Sequence, residues 1–233
     1  MTENKNWNEL FDFFCDENNV LHPWMAKPFL NTSYQGTIFG DIWATDGYLV
    51  LIISSKLVGT NFDKFEQKTF IPEILPEDKQ KVVTIKSLQA ALEQCDKEEI
   101  IEEEEFECPE CNGEGKVTWE YSSTTGKMKT YEREEDCPVC DGNGYTYKET
   151  PSGKFRIANG SGVSIGLGSY NGRLMERIVK AMKWLDVDSF KVLSKPIHNK
   201  MVFLELVKDE IKVGLMPALC DKKVVELISY RDI

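Results

Sequence analysis

The chain has 233 residues, 41% hydrophobic and 11% aromatic, enough for one large or two modest folded domains, and this composition excludes global disorder. Its longest apolar run, Leu49–Ile53, is far short of the roughly 20 residues that a membrane-spanning helix needs. The net charge of −11 is uneven: residues 1–95 carry −5, 96–107 carry −7, 108–150 carry −4 and 151–233 carry +5, so total charge does not exclude a nucleic-acid partner.

The first ten residues are polar and lack the basic start and apolar stretch of a secretion signal. A soluble, cytoplasmic protein with no membrane partner is expected. Trp7 to Asp16 reads as a short amphipathic helix, with Leu10, Phe11, Phe14 and Cys15 at helical spacing. Thr37–Ala44 and Tyr48–Ser54 read as strands joined by an Asp46-Gly47 turn. Residues 59–81 show no regular pattern. Val82–Ile85 reads as a strand, and Ser87 as the cap of a helix through Ala90, Leu92 and Cys95. Residues 96–107 form an acidic block, read as a charged edge strand or a solvated lead-in.

Seven cysteines are too sparse in this length for a secreted disulfide scaffold. Cys15, Cys95 and Cys220 are scattered and read as inert thiols. The other four form Cys108-Pro-Glu-Cys111-Asn-Gly-Glu-Gly115 and Cys137-Pro-Val-Cys140-Asp-Gly-Asn-Gly144. Two-residue spacing lets both thiolates of a pair reach one metal, and proline and glycine supply the tight turn this requires. Together the pairs offer the four sulfurs of a closed, structural zinc site; a redox dithiol pair or a disulfide is the alternative. Between Cys111 and Cys137, Lys116–Tyr121 and Lys129–Glu134 are expected to pair as a hairpin with its tip at 122–126. His22 and His198 read as ordinary histidines.

These two motifs resemble the cysteine-rich domain of DnaJ co-chaperones, which carries four such motifs and binds two zinc ions. Two copies imply one Zn2+, held by Cys108, Cys111, Cys137 and Cys140. No His-Pro-Asp loop is present, since His22-Pro23 is followed by Trp24. Client or partner binding, rather than co-chaperone activity, is what this resemblance implies.

After Pro151, Lys154–Ala158 and Gly162–Leu167 read as strands, Arg173–Leu185 as a helix, and Phe190–Leu193, Met201–Val207 and Ile211–Leu215 as strands. The helix places Leu174, Ile178, Ala181, Met182 and Leu185 on one face, and Arg173, Arg177, Lys180 and Lys183 on the other. Such a basic face is either a solvated surface or a phosphate-facing stripe. Gly162–Leu167, Tyr170 and the Leu174/Ile178/Met182 series look like the strand–helix unit of a bacterial DNA polymerase III β sliding clamp. Val202–Leu206, Asp209-Glu210 and Val213–Pro217 are similar to the closing strands of those clamps. Ala44–Gly47 and Val82–Cys95 resemble earlier clamp elements.

The resemblance implies an α+β fold: a single DNA-clamp-like domain of two βαβββ halves, interrupted by a zinc-binding β-hairpin. The expected domains are a discontinuous clamp-like part, 1–107 plus 151–233, and an inserted DnaJ-type zinc hairpin, 108–150. It also implies that Arg173, Arg177, Lys180 and Lys183 contact duplex DNA without reading its sequence. Gly166–Gly172 mimics a dinucleotide-binding loop, but its last glycine falls one residue late and no alternating βαβ series surrounds it. No paired nucleophile and base suggests an enzyme. Two functions follow: a non-enzymatic zinc-binding scaffold associated with DNA or the replication machinery, or a protein-interaction module using the zinc hairpin. In the second, Tyr121, Tyr131, Tyr145 and Tyr147 would supply contact area or merely pack the hairpin.

Overall fold

A computed structural model describes residues 6–19, 21–31, 41–59, 61–65, 75–122, 129–196 and 200–229. The chain divides into two compact units, Met1–Glu98 with Ile157–Ile233, and Glu99–Arg156. In chain order the elements are α1 (Trp7–Phe11), β1 (Phe29–Asn31), β2 (Ile42–Thr45), β3 (Leu49–Ile53), α2 (Ser55–Val58), β4 (Lys64–Phe65), β5 (Lys81–Thr84) and α3 (Ile85–Glu93). The long β6 (Lys97–Glu107), β7 (Lys116–Ser122), β8 (Thr130–Asp136) and β9 (Tyr145–Ile157) follow. The remainder is β10 (Gly162–Ile165), β11 (Gly168–Asn171), α4 (Gly172–Leu185), β12 (Ser189–Val192), β13 (Val202–Val207), β14 (Ile211–Leu215) and β15 (Val224–Ile228). The protein is thus sheet-rich and mixed, with few helices.

In the first unit, eight strands form one sheet in the order β4-β1-β2-β3-β14-β13-β12-β5. Its central strands are apolar on both faces, and their alternation sorts the side chains into two cores. Leu49, Leu51 and Ile53 of β3, with Val202, Leu204 and Leu206 of β13, join the main core. Val50, Ile52, Trp43 and Phe203 point the other way, into a smaller cluster edged by Trp24 and Phe65, whose rings stack 5.2 Å apart. A second sheet, β11-β10-β15, adds Val163, Ile165 and Tyr170 to the main core.

Helix α4 buries Met175, Ile178, Val179, Ala181 and Met182, packs beside α3, and leaves Leu174 and Leu185 half-buried at the core's edge. Asn171 caps its start, its side chain accepting from Arg173 N–H at 2.8 Å, and Asp186 ends it in the left-handed conformation. At the start of α3 the cap is Thr84, not Ser87. Ser87 N–H donates to Thr84 Oγ1 at 3.1 Å and Ser87 Oγ donates back to the Thr84 carbonyl at 2.8 Å.

Other expectations shift in detail. The first helix stops at Phe11. Lys154–Ala158 is not a separate strand but the end of the 13-residue β9. The glycine-rich stretch after β10 is a tight antiparallel hairpin pairing Ile165 with Gly168. β15, which runs parallel to β10, was not anticipated. Two strands were expected between Pro151 and α4 and three after it; the first of the two is the end of β9, and β11 and β15 are additional, one on each side of α4. The part of the first predicted strand at 37–40, His198 and hairpin-tip residues 123–126 lie outside the described residues.

Ile178 is fully buried between α4 and the sheet core, whereas Lys180, two residues on, is exposed. Ile178→Ala is expected to lower the unfolding free energy by about 2–5 kcal/mol in urea titration. Lys180→Ala should change it by no more than about 0.5 kcal/mol.

Candidate metal centre

The second unit, Glu99–Arg156, contains two two-stranded sheets, β6-β9 and β7-β8. Its strands are almost wholly exposed, and its buried residues, among those described, are Cys108, Cys111, Gly115, Cys137, Cys140 and Gly144. Among the described residues no apolar core holds it together; four sulfurs and two glycines occupy the place of one.

The two cysteine turns fold alike. Asn112 and Gly113 in the first, and Asp141 and Gly142 in the second, take positive φ of 48°, 84°, 49° and 80°. Each turn then hands its last glycine to the other. Cys108 N–H donates to the Gly144 carbonyl and Cys137 N–H to the Gly115 carbonyl, both at 2.8 Å. A Cβ on Gly115 would lie 2.3 Å from the Gly142 carbonyl oxygen, and one on Gly144 would lie 2.3 Å from that of Gly113. Only glycine permits this close approach of two backbones.

The approach brings all four Sγ atoms within 4.8 Å of one another. Cys108 and Cys137 stand 3.8 Å apart, Cys111 and Cys140 3.7 Å. Tetrahedral thiolates about 2.3 Å from one zinc ion would be spaced about 3.8 Å apart, whereas a disulfide needs about 2.05 Å. Gly115 and Gly144 N–H each donate to a sulfur, Cys111 and Cys140, at 3.2 Å, as expected for groups that stabilise thiolate. Burial pushes the Cys108 thiol up, but the N–H groups of Cys111 and Glu110 and the adjacent thiols outweigh this and bring it down to about 7. Burial and the three neighbouring sulfurs push Cys140 up to about 11 despite the Gly144 N–H. The four sulfurs therefore cannot all hold negative charge together without a cation among them. The donor set fits one soft divalent ion, with no carboxylate or histidine in the set.

The remaining cysteines lie elsewhere. Cys95 is buried, with its Sγ 3.3 Å from the Gly162 carbonyl, and Cys15 and Cys220 are half-buried. Burial, then Asp12, pushes the Cys15 thiol up to about 12, so it stays protonated.

The four cations of α4 separate into two pairs. Arg173 donates from Nε to the Ile157 carbonyl at 2.7 Å and pairs with Glu98. Arg177 donates from Nε to the Phe13 carbonyl at 2.6 Å and pairs with Asp46, the residue that forms the β2–β3 turn. Lys180 and Lys183 are exposed and line a groove beside α3 together with Lys97, Glu93 and Glu176. Sequence reasoning missed Glu98 and Asp46 as partners because they lie 75 and 131 residues from the arginines that they bind.

Tyr121 and Tyr131, both exposed, stack across β7 and β8 with ring centres 5.1 Å apart. Trp119, Tyr145 and Tyr147 are exposed as well. No described helix is long and apolar enough to cross a membrane.

No protein-family model matches the chain, and no curated protein matches it. Solved structures similar to it include sliding clamps. A DNA polymerase sliding clamp from Pseudomonas aeruginosa is 11% identical, with 76% of this chain and 54% of the clamp covered and a TM-score of 0.30. The DNA polymerase III subunit beta from the same organism is 9% identical, with 92% and 65% covered and a TM-score of 0.34. A proliferating cellular nuclear antigen from Entamoeba histolytica is 13% identical, with 77% and 64% covered and a TM-score of 0.27. The chain thus spans about half the length of the first of these. Similarity this shallow assigns no role to any residue.

Gly115→Ala should weaken metal binding far more than Gly113→Ala in a competition assay against a chromogenic chelator. Both sites have positive φ, but only the Gly115 Cβ meets backbone. Because thiol protons compete with the metal, retention in the same assay should fall as the pH is lowered.

Proposed function

We propose that this protein is a non-enzymatic scaffold whose inserted unit is a DnaJ-type zinc hairpin, with one structural Zn2+ held by Cys108, Cys111, Cys137 and Cys140. The unit presents a protein-interaction surface. The observation that carries this reading is the convergence of four sulfurs, all within 4.8 Å of one another, in a segment with no other buried side chain among its described residues. A closed four-thiolate set leaves no position for substrate, which favours a structural role over catalysis. Free thiols in such a set also suit a reducing compartment, in keeping with a cytoplasmic location.

Association with duplex DNA through α4, as a clamp-like domain would make it, is the second reading. It is supported by the side-by-side placement of α3 and α4 and by the exposure of Lys180 and Lys183. Arg173 and Arg177 are committed to carboxylates and carbonyls, so the stripe narrows to two lysines. Two phosphate contacts give a slope of log K against log salt near −1.8, where four would give about −3.6. Lys180→Glu with Lys183→Glu should abolish duplex binding without unfolding the chain; absence of binding by the unaltered protein at low salt would sink this reading. Arg177→Glu is unsuitable for that purpose, since it leaves Asp46 facing a carboxylate and should destabilise the first unit.

The principal reading is tested by metal analysis of purified protein. One zinc per chain is expected, and its removal should open residues 99–156 to protease while the first unit keeps its circular dichroism. A folded, metal-free chain with alkylatable Cys108 and Cys140 would falsify it.

A further inference from the structure

The β7–β8 hairpin has two unlike faces. Its register places Tyr121 opposite Tyr131, Trp119 opposite Arg133 and Val117 opposite Glu135 on one face. The other face sets Glu120 opposite Glu132 and Thr118 opposite Glu134. All seven residues of β8 are exposed, and the two strands pair only with each other among the described residues, so each has an open outer edge. A two-stranded hairpin is marginal in water, and a third strand is what ordinarily completes it.

Charge decides what that strand can be. Residues 99–156 carry 15 acidic and 7 basic side chains. Nucleic acid is repelled by this unit, and so is a second copy of it. Acidic residues along an open edge are a device against self-pairing, yet the same charges attract a cationic strand. Glu120 and Glu132 are like charges set directly opposite, a destabilising pair. β8 is the more acidic edge, with Glu132, Glu134 and Asp136 on one face, and Tyr131 with the ion-paired Arg133 and Glu135 on the other. Lys116 of β7 reaches Glu134 at 3.3 Å, which leaves Glu132 as the centre of the acidic row.

We propose that the open edge of β8 takes up an extended basic segment of a partner protein as a third strand. Alternate residues of that segment would meet the two faces: lysine or arginine against Glu132, Glu134 and Asp136, and apolar or arginine side chains against Tyr131 and, beyond it, Tyr121. This rests on the reading of the inserted unit as a zinc-held interaction module and names the partner's chemistry.

The test uses the full zinc-loaded chain and a fluorescent, end-capped peptide alternating Lys and Val over the length of β8, followed by anisotropy. Binding that weakens with salt is expected, with at least about tenfold loss for Glu132→Lys combined with Glu134→Lys. The same peptide with N-methyl groups on alternate amides should also lose about tenfold or more, since it cannot form edge hydrogen bonds. Glu132→Lys alone turns the Glu120 pair into an attractive one, so zinc retention by that variant should not fall, which separates binding from folding. Lys180→Glu with Lys183→Glu should leave peptide binding unchanged. Equal binding of the N-methylated or an alternating Glu-Val peptide, preferential binding of duplex DNA that persists in the Lys180→Glu, Lys183→Glu variant, or self-association in sedimentation would overturn the proposal. A chain that retains zinc but ignores the Lys-Val peptide defeats the basic-strand proposal alone, whereas a chain without zinc defeats the module reading itself.

Discussion

The convergence of four cysteine sulfurs is the constraint on which the inserted unit depends. Fifty-eight residues ordinarily fold around an apolar core, yet Glu99–Arg156 has none among its described residues. Its long strands expose Ile101, Phe106, Trp119, Tyr147 and Phe155. Two near-identical turns replace the core, each closing on the other through a carbonyl and a glycine. With no cation among them the sulfurs carry thiol protons or repel one another; a divalent ion removes that conflict and makes the turns mutually supporting. Stability in this unit is therefore concentrated at the cysteine turns that join its two sheets, and the strands on either side are left free to face solvent or a partner.

The first unit is built in the opposite manner. Its eight-stranded sheet buries apolar side chains on both faces, and α3 and α4 close one of them. Its specific polar contacts are few but long-range. Arg177 ties α4 to the chain after α1 and to the β2–β3 turn, so a residue that reads locally as part of a charged surface fastens three segments together. The two lysines one and two turns further on are exposed and line a groove instead.

Legibility from sequence followed the range of the interactions. The cysteine turns were readable because spacing, proline and glycine are all local. Helix α4 was readable because its apolar period is strong, and the β2–β3 hairpin because Asp46-Gly47 marks its turn. Thr84 was missed as the cap of α3 because Ser87 offers the same chemistry three residues later, and only the hydrogen bonds distinguish them. β15 escaped notice because it is short, only half-buried, and parallel to a strand about sixty residues away. The division of the basic face into two engaged arginines and two exposed lysines depends on Glu98 and Asp46, which no local pattern links to α4.

Arg173 carries one more implication. Through Glu98 and the Ile157 carbonyl it holds together the two points at which the chain leaves the first unit and returns to it, and Ala158 N–H reinforces them by donating to Asp96 O at 2.8 Å. A host whose cut ends already touch pays little entropy to accept or lose the intervening stretch. The cysteine-bearing segment is on these grounds a cassette: it can be excised with a short turn, or exchanged for another, while the sheet and helices of its host keep their arrangement.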